Sequence, residues 1–277
     1  MQIETKNLTH IFDKDSLTEH IAIKNVTTKF DKGEFITIIG RTGSGKTTFI
    51  EHLNALLKPY DGQVIIGDRV ITKSRKKIKK IKELRKKVGI VFQFAEYQLF
   101  EDTIEKDIVF GPITMGVPKN LAIKQAGKYL EMVGLSKEFL KRSPFNLSGG
   151  QKRRVALAGI LAMEPDFLIF DEPTAGLDPH GEKEMYKIFN DLHKNGKTII
   201  IVTHNLDHAL EHSNRTLVFN DGVLVRDDKT IDIMYDQQFL KKHDLEKPKL
   251  AQLVWELEKK GKKIGKIKSI KDLVDKI

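Results

Sequence analysis

The chain has 277 residues, 40% of them hydrophobic, enough for one large core or a core with a small appendage. It contains no cysteine, which excludes disulfides, thiolate nucleophiles and thiolate metal sites and disfavours redox chemistry. The formal charge of +10 is local: residues 73 to 87, KSRKKIKKIKELRKK, hold ten basic side chains and one acid, and KKGKKIGKIK near the C-terminus is again lysine-rich. No run of eighteen apolar residues occurs and MQIETKNLTH lacks an apolar signal core, so the expectation is a chain neither exported nor membrane-spanning.

In chain order, IETKNLTHIF and GQVIIGDRVI read as half-buried strands of an antiparallel sheet. EFITIIG (34 to 40), KVGIVF (87 to 92), DFLIFD (166 to 171) and KTIIIVTH (197 to 204) are unbroken apolar runs of strand length, as expected for parallel strands covered on both faces. Helical patterns such as GKTTFIEHLNALL and LDPHGEKEMYKIFNDLHK follow several of them, which predicts an α/β core. The basic run reads as a solvated helix with Ile78, Ile81 and Leu84 turned inward. A phosphate-rich partner is the alternative. An anionic bilayer would attract Lys76, Lys77, Lys79 and Lys80 by about 1 kcal/mol each, and nucleic acid would act through counterion release.

After the strand FITIIG, residues 40 to 47 (GRTGSGKT) fit G-x-x-x-x-G-K-[ST] and open a helix. Gly40, Gly43 and Gly45, with Arg41, Thr42 and Ser44 between them, form a loop whose N–H groups face a phosphate, and the helix adds its positive end. Lys46 reaches the β- and γ-phosphates, Thr47 puts its hydroxyl on Mg²⁺, and Thr48 lies on the α-phosphate side. FLIFDEP supplies the metal carboxylate: Asp171, at a buried strand end, holds Mg²⁺ through water. Glu172 is then the general base for the water that attacks the γ-phosphate. The chemistry predicted is hydrolysis of a nucleoside triphosphate with Mg²⁺.

A second anion site follows from NLSGGQKRR, where Ser148, Gly149 and Gly150 open another helix. Two phosphate sites for one metal site are reconciled by a head-to-tail dimer, the serine–glycine loop of one subunit covering the γ-phosphate held by the other. This stretch, with Gln151, resembles the signature motif of ATP-binding cassette (ABC) ATPases. The resemblance implies roles for further residues. Gln93 matches the Q-loop glutamine at the Mg²⁺ and attacking water, Asp178 in AGLDP the D-loop contact to the opposite subunit, and His204 the switch histidine at the γ-phosphate. Phe12 is the aromatic placed to stack on adenine. The fold implied is a P-loop NTPase core with a mostly parallel sheet, an antiparallel β subdomain, an α-helical subdomain and a short C-terminal helical extension, divided as 1–228 and 229–277.

VFQFAEYQLFEDTIEKDIVFGP, PFNLSGGQKRRVALAGILAMEP and EPTAGLDPHG together are similar to the ATPases of energy-coupling factor (ECF) transporters, and among them to the second of two paralogous subunits. Ala95 departs from the proline usual there. What the resemblance implies is a heterodimer with the paralogous ATPase, a transmembrane T-component and a substrate-binding S-component, peripheral on the cytoplasmic face of the cell membrane and in contact with its surface, importing vitamins or transition metals. LEKPKLAQLVWELEKKG resembles the family's C-terminal dimer-contact region. Between residues 94 and 110 five acids (Glu96, Glu101, Asp102, Glu105, Asp107) surround apolar residues, an acidic-rimmed surface suited to a basic amphipathic helix. Glu96, Tyr97, Phe100 and Glu101 are therefore expected to line the groove for the T-component's coupling helix. A conventional ABC importer ATPase shares the motifs. A soluble ABC protein acting on nucleic acid is favoured only by the basic run, and nucleic acid is not an expected partner; a P-loop kinase or GTPase would lack the serine–glycine signature.

Overall fold

The computed structural model describes residues 1–74 and 80–276. β1 (Ile3–Phe12) and β2 (His20–Phe30) pair antiparallel, and β3 (Phe35–Ile39) starts a second sheet before α1 (Lys46–Leu53). β4 (Asp61–Ile66) returns to β1 and β5 (Arg69–Ile71) pairs with β4, giving an antiparallel sheet of order β2-β1-β4-β5. α2 (Ile81–Lys87) leads into β6 (Val88–Val91). A helical layer follows, made of α3 (Ile104–Thr114), α4 (Lys119–Met132) and α5 (Gly149–Leu161). Then come β7 (Phe167–Asp171), α6 (Pro179–Lys194), β8 (Thr198–Val202), α7 (Leu206–His212) and the hairpin β9 (Arg215–Asn220) and β10 (Val223–Lys229). The chain ends in α8 (Thr230–Met234), α9 (Gln237–Lys242), α10 (Lys249–Lys259) and α11 (Ile270–Val274).

The second sheet has the order β10-β9-β3-β8-β7-β6, parallel except for β10. Its central strands β3, β7 and β8 are buried at every position, which explains their unbroken apolar sequences. Strand alternation divides the two cores. Phe35, Leu168, Phe170, Ile199 and Ile201 join the helical layer with Ile108, Leu130 and Val155, whereas Ile36, Ile38, Phe167, Ile169 and Ile200 face Phe49, Val26 and Val64 of α1 and the antiparallel sheet.

The C-terminal helices share that framework. Ile233, Met234 and Leu240 pack with Ile39, Val218 and Leu210, and buried Thr230 joins hydroxyls from Ser213 (2.8 Å) and Thr216 (2.9 Å), which both reach Thr37 in β3. Within the basic run, Leu84 is buried and Ile81 half-buried, as their spacing predicts. Residues 75–79 lie outside the described residues, and with them Lys76, Lys77, Ile78 and Lys79. No helix among the described residues is long and apolar enough to cross a membrane.

Candidate active site

Each parallel strand of the centre delivers its chemistry at the same end. β3 runs into the loop 40–45, β6 toward Gln93, β7 into Asp171 and Glu172, and β8 toward His204. The register makes those ends level: Ile38 pairs with Val202, Val202 with Asp171, and Phe170 with Val91. Carboxyl ends of parallel strands are where open α/β sheets bind ligands. Here they border a cleft of about 480 Å³, lined by Thr42, Gly43, Gly45, Lys46, Thr47, Thr48, Gln93, Asp171, Glu172 and His204, with Phe12, His20 and Ala22 contributed by the antiparallel sheet.

Behind that lining, Gly40, Arg41 and Ser44 shape the loop. Lys46 Nζ donates to the carbonyls of Gly40 (2.8 Å) and Arg41 (2.9 Å), Arg41 pairs with Asp244 at 3.2 Å, and Ser44 is buried. Gly45 precedes α1 with φ +93°, and a Cβ there would lie 2.4 Å from the Ala22 carbonyl. Gly43 has φ +80° and open space where a Cβ would sit. Gly45→Ala is accordingly expected to abolish nucleotide binding; a folded Gly45→Ala protein with wild-type affinity in a fluorescent-nucleotide titration would remove this loop from the site.

Thr47 Oγ1 donates to Asp171 Oδ2 at 2.8 Å, a pair of hard oxygens that suits a hard divalent cation. Burial raises the Asp171 carboxyl against the opposing pull of Thr47 and Lys46, and burial lowers Lys46 against Glu172 and Asp171. Strand alternation alone would send the adjacent Asp171 and Glu172 to opposite faces. Glu172 escapes it through a left-handed backbone, φ +46°, its N–H donating to the Val202 carbonyl at 3.0 Å. Strain of that kind costs about 1–3 kcal/mol, and here it turns a second carboxylate into the cleft. His204 Nδ1 lies 2.9 Å from Glu172 Oε2.

Ser148, Gly149, Gly150, Gln151 and Asp178 are not on this cleft. Ser148 and Gln151 form a capping box on α5: the Gln151 N–H donates to Ser148 Oγ (3.3 Å), and the Ser148 N–H donates to Gln151 Oε1 (3.1 Å). Asp178 caps α6, accepting from the Gly181 N–H at 2.7 Å. A single chain therefore leaves the two sets apart.

The stretch after Gln93 departs from its expected form. Glu96 is no rim charge: Arg153, 3% exposed, donates to both its oxygens at 2.9 and 2.7 Å. Burial pushes the Glu96 carboxyl up, but the hydrogen bonds and charge of Arg153 outweigh it and hold it below the ordinary value. Asp102 pairs with Lys106 and Glu105 with Lys141, each at 2.6 Å, and Asp107 accepts from the N–H groups of Phe100 and Glu101. Glu101 is half-buried. What the segment presents outward is aromatic: Tyr97 and Phe100 are exposed, with Phe94 6.1 Å from Tyr97 and Phe110 4.9 Å from Phe100 between ring centroids.

Arg153 also donates to the carbonyls of Pro173 (3.0 Å) and Ala175 (2.8 Å), so one guanidinium ties α5 to the turn after Gln93 and to the loop after Glu172. Sequence reasoning missed it, as it missed His20 and Ala22. The only trace in the sequence was an arginine in the first turns of the helix opened by SGGQ, with no sign of its partner 57 residues away.

The ABC transporter family matches residues 23–175, more than half the chain. The energy-coupling factor transporter ATP-binding protein EcfA2 of Mycoplasma mobile is 56% identical over all of this chain and 96% of its own length. The protein of the same name from Mycoplasmopsis pulmonis is 51% identical over 99% and 95%. The chain belongs to the ECF transporter ATP-binding proteins of the ABC family. An ECF ATP-binding protein is an ATPase, and the cleft described above is of the composition ATP hydrolysis requires. Solved ABC structures share the fold of this ECF ATPase. The cbiO1 protein of Clostridium perfringens, part of the ABC transporter complex cbiONQ, superposes with TM-score 0.75 at 32% identity over 91% of this chain and 98% of its own. The ATP-binding cassette MJ0796, solved as a dimer in a post-hydrolysis state with ADP and Pi, gives 0.70 at 30% identity over 82% and 98%.

Proposed function

We propose that the chain is one of two paralogous ATPases that drive an importer of vitamins or transition metals, lying on the cytoplasmic face of the membrane and bound there to a transmembrane T-component and through it to a substrate-binding S-component in the membrane. One observation carries the dimer: Lys46, Thr47, Gln93, Asp171, Glu172 and His204 converge on a single cleft, and the signature residues of the same chain do not reach it. A partner must supply them. ATP sits between two subunits, with Ser148, Gly149, Gly150 and Gln151 covering the γ-phosphate held by the partner and Asp178 touching across the interface.

Within the cleft, Phe12 stacks on the base, the loop 40–45 and Lys46 hold the phosphates, and Thr48 borders the α-phosphate. Thr47, Asp171 and Gln93 would hold Mg²⁺, which neutralises charge between the β- and γ-phosphates when bound. Glu172 takes the proton of the attacking water while His204 holds its carboxylate and senses the γ-phosphate. Closure and reopening of the dimer then move the aromatic surface at Tyr97 and Phe100, beside half-buried Glu101, against the T-component. Glu96 acts there through Arg153, as a brace beneath that surface.

The test is co-purification of the tagged chain from detergent-extracted membranes. A complex containing a second ATPase and two membrane subunits is expected. Tyr97→Ala/Phe100→Ala should lose those membrane subunits, or at least tenfold of transport, while retaining wild-type nucleotide affinity. Recovery of the chain as a homodimer on a permease pair alone would replace this reading with a conventional ABC importer.

A further inference from the structure

Away from the nucleotide cleft, one helix face gathers two imidazoles and a carboxylate. α7 carries His208, Glu211 and His212 at spacings of three and four residues, which share one side of a helix. One donor atom from each lies within 4.8 Å of the other two. The opposing wall is α6, where Glu182 Oε2 is 3.1 Å from His208 Nε2 and the Asn190 side-chain amide is 3.2 Å from His212 Nδ1. Tyr186 stacks on both imidazoles, with centroids at 4.3 and 4.4 Å, and fixes their planes. His212 Nε2 is left 3.8 Å from Glu211 Oε2. A cleft of about 820 Å³ opens onto the group.

We propose that His208, Glu211 and His212 form a binding site for a divalent transition-metal ion of the zinc type, with Glu182 reaching it from α6.

The donor set argues the class of ion. Imidazole nitrogens with carboxylate oxygens suit Zn²⁺ and its neighbours in the first transition row, whereas Mg²⁺ takes an all-oxygen shell. Two donors bound at about 2.0–2.2 Å to one tetrahedral ion sit roughly 3.3–3.6 Å apart. Glu182 with His208 (3.1 Å) and Glu211 with His212 (3.8 Å) bracket that spacing, and the donors of His208, Glu211 and His212, within 4.8 Å of one another, draw together to reach it, with exposed Glu211 free to swing. His212 presents Nε2 on the Glu211 side. Asn190 on the other ring nitrogen plays the orienting part that outer-shell partners of metal-bound histidines take.

None of these residues lines the nucleotide cleft, yet α7 starts beside it: Asn205 caps that helix directly after His204. An ion joining Glu182 to α7 would fix the spacing between the two.

The experiment is titration of the 277-residue chain with Zn²⁺ by calorimetry and with Co²⁺ by visible absorption. One ion per chain is expected, with the intense d–d bands of tetrahedral nitrogen–oxygen coordination. Glu211→Gln and His208→Ala/His212→Ala should each weaken binding at least tenfold, and Asp171→Asn should leave it unchanged. Glu211 is exposed, so its variant reports on ligation with the fold intact; circular dichroism checks the double variant. Equal Zn²⁺ affinity in wild type and Glu211→Gln, or binding abolished by Asp171→Asn, would overturn the assignment.

Discussion

Glu172→Gln should lower ATP turnover by about 10²- to 10⁴-fold, the range that a positioned general base contributes, equivalent to roughly 3–5 kcal/mol on the barrier. Glutamine keeps the length of the side chain and a contact with His204, now 2.9 Å from the carboxylate, but it cannot accept the water's proton. Lys46 and the loop 40–45, the phosphate-binding parts proposed above, are untouched, so nucleotide affinity should stay within a few-fold of wild type and the proposed ATP-bound dimer should persist. Phosphate release measured beside nucleotide binding separates these quantities. Turnover at the wild-type rate would place the base elsewhere in the cleft.

Arg153→Met should cost about 3–5 kcal/mol of stability, the usual effect of removing one partner from a buried ion pair, and lower the melting temperature by roughly ten degrees in a chain of this size. This guanidinium donates four hydrogen bonds, two to Glu96 and one each to the carbonyls of Pro173 and Ala175. Methionine fills much of the space and satisfies none of them. Most of the loss comes from Glu96, left charged and without its partner. Adding Glu96→Gln to Arg153→Met should therefore recover part of it, and scanning fluorimetry on the single and double variants measures the coupling. An unaltered melting temperature in Arg153→Met would show that this junction carries no load.

Much of the site was legible because its parts are local in sequence. The loop 40–47 and the pair Asp171 and Glu172 combine fixed spacing with a strand before them, and Gln93 and His204 were readable as strand ends once their strands were known. Contacts between distant segments were not. Arg153 and Glu96 are 57 residues apart, and nothing in either neighbourhood marks them as partners. The acids of residues 94 to 110 were counted as an exposed rim because sequence reports charge and is silent on who neutralises it; Lys106, Lys141, Arg153 and local N–H groups consume most of it. Glu172 was given its role by adjacency, but the left-handed turn that aims it is a feature of backbone conformation that a glutamate does not advertise. Phe12 enters the cleft only because β1 and β2 fold over α1, a tertiary arrangement.

The hydroxyls of Thr37, Ser213, Thr216 and Thr230 bear on how the molecule comes apart. They join the strand ahead of the phosphate loop, the edge hairpin and the first residue of α8 in one closed circuit at 2.7–3.0 Å, all of it buried. Opening any member removes one hydrogen bond from each of its two neighbours in an apolar surround, at about 0.5–1.5 kcal/mol each. Such a circuit makes local fraying between these segments costly, so the amides around Thr37 and Thr230 belong to one cooperative unit whose hydrogen exchange is governed by global unfolding. The C-terminal helices and the ATP-binding core are then lost together, in a single event, on heating.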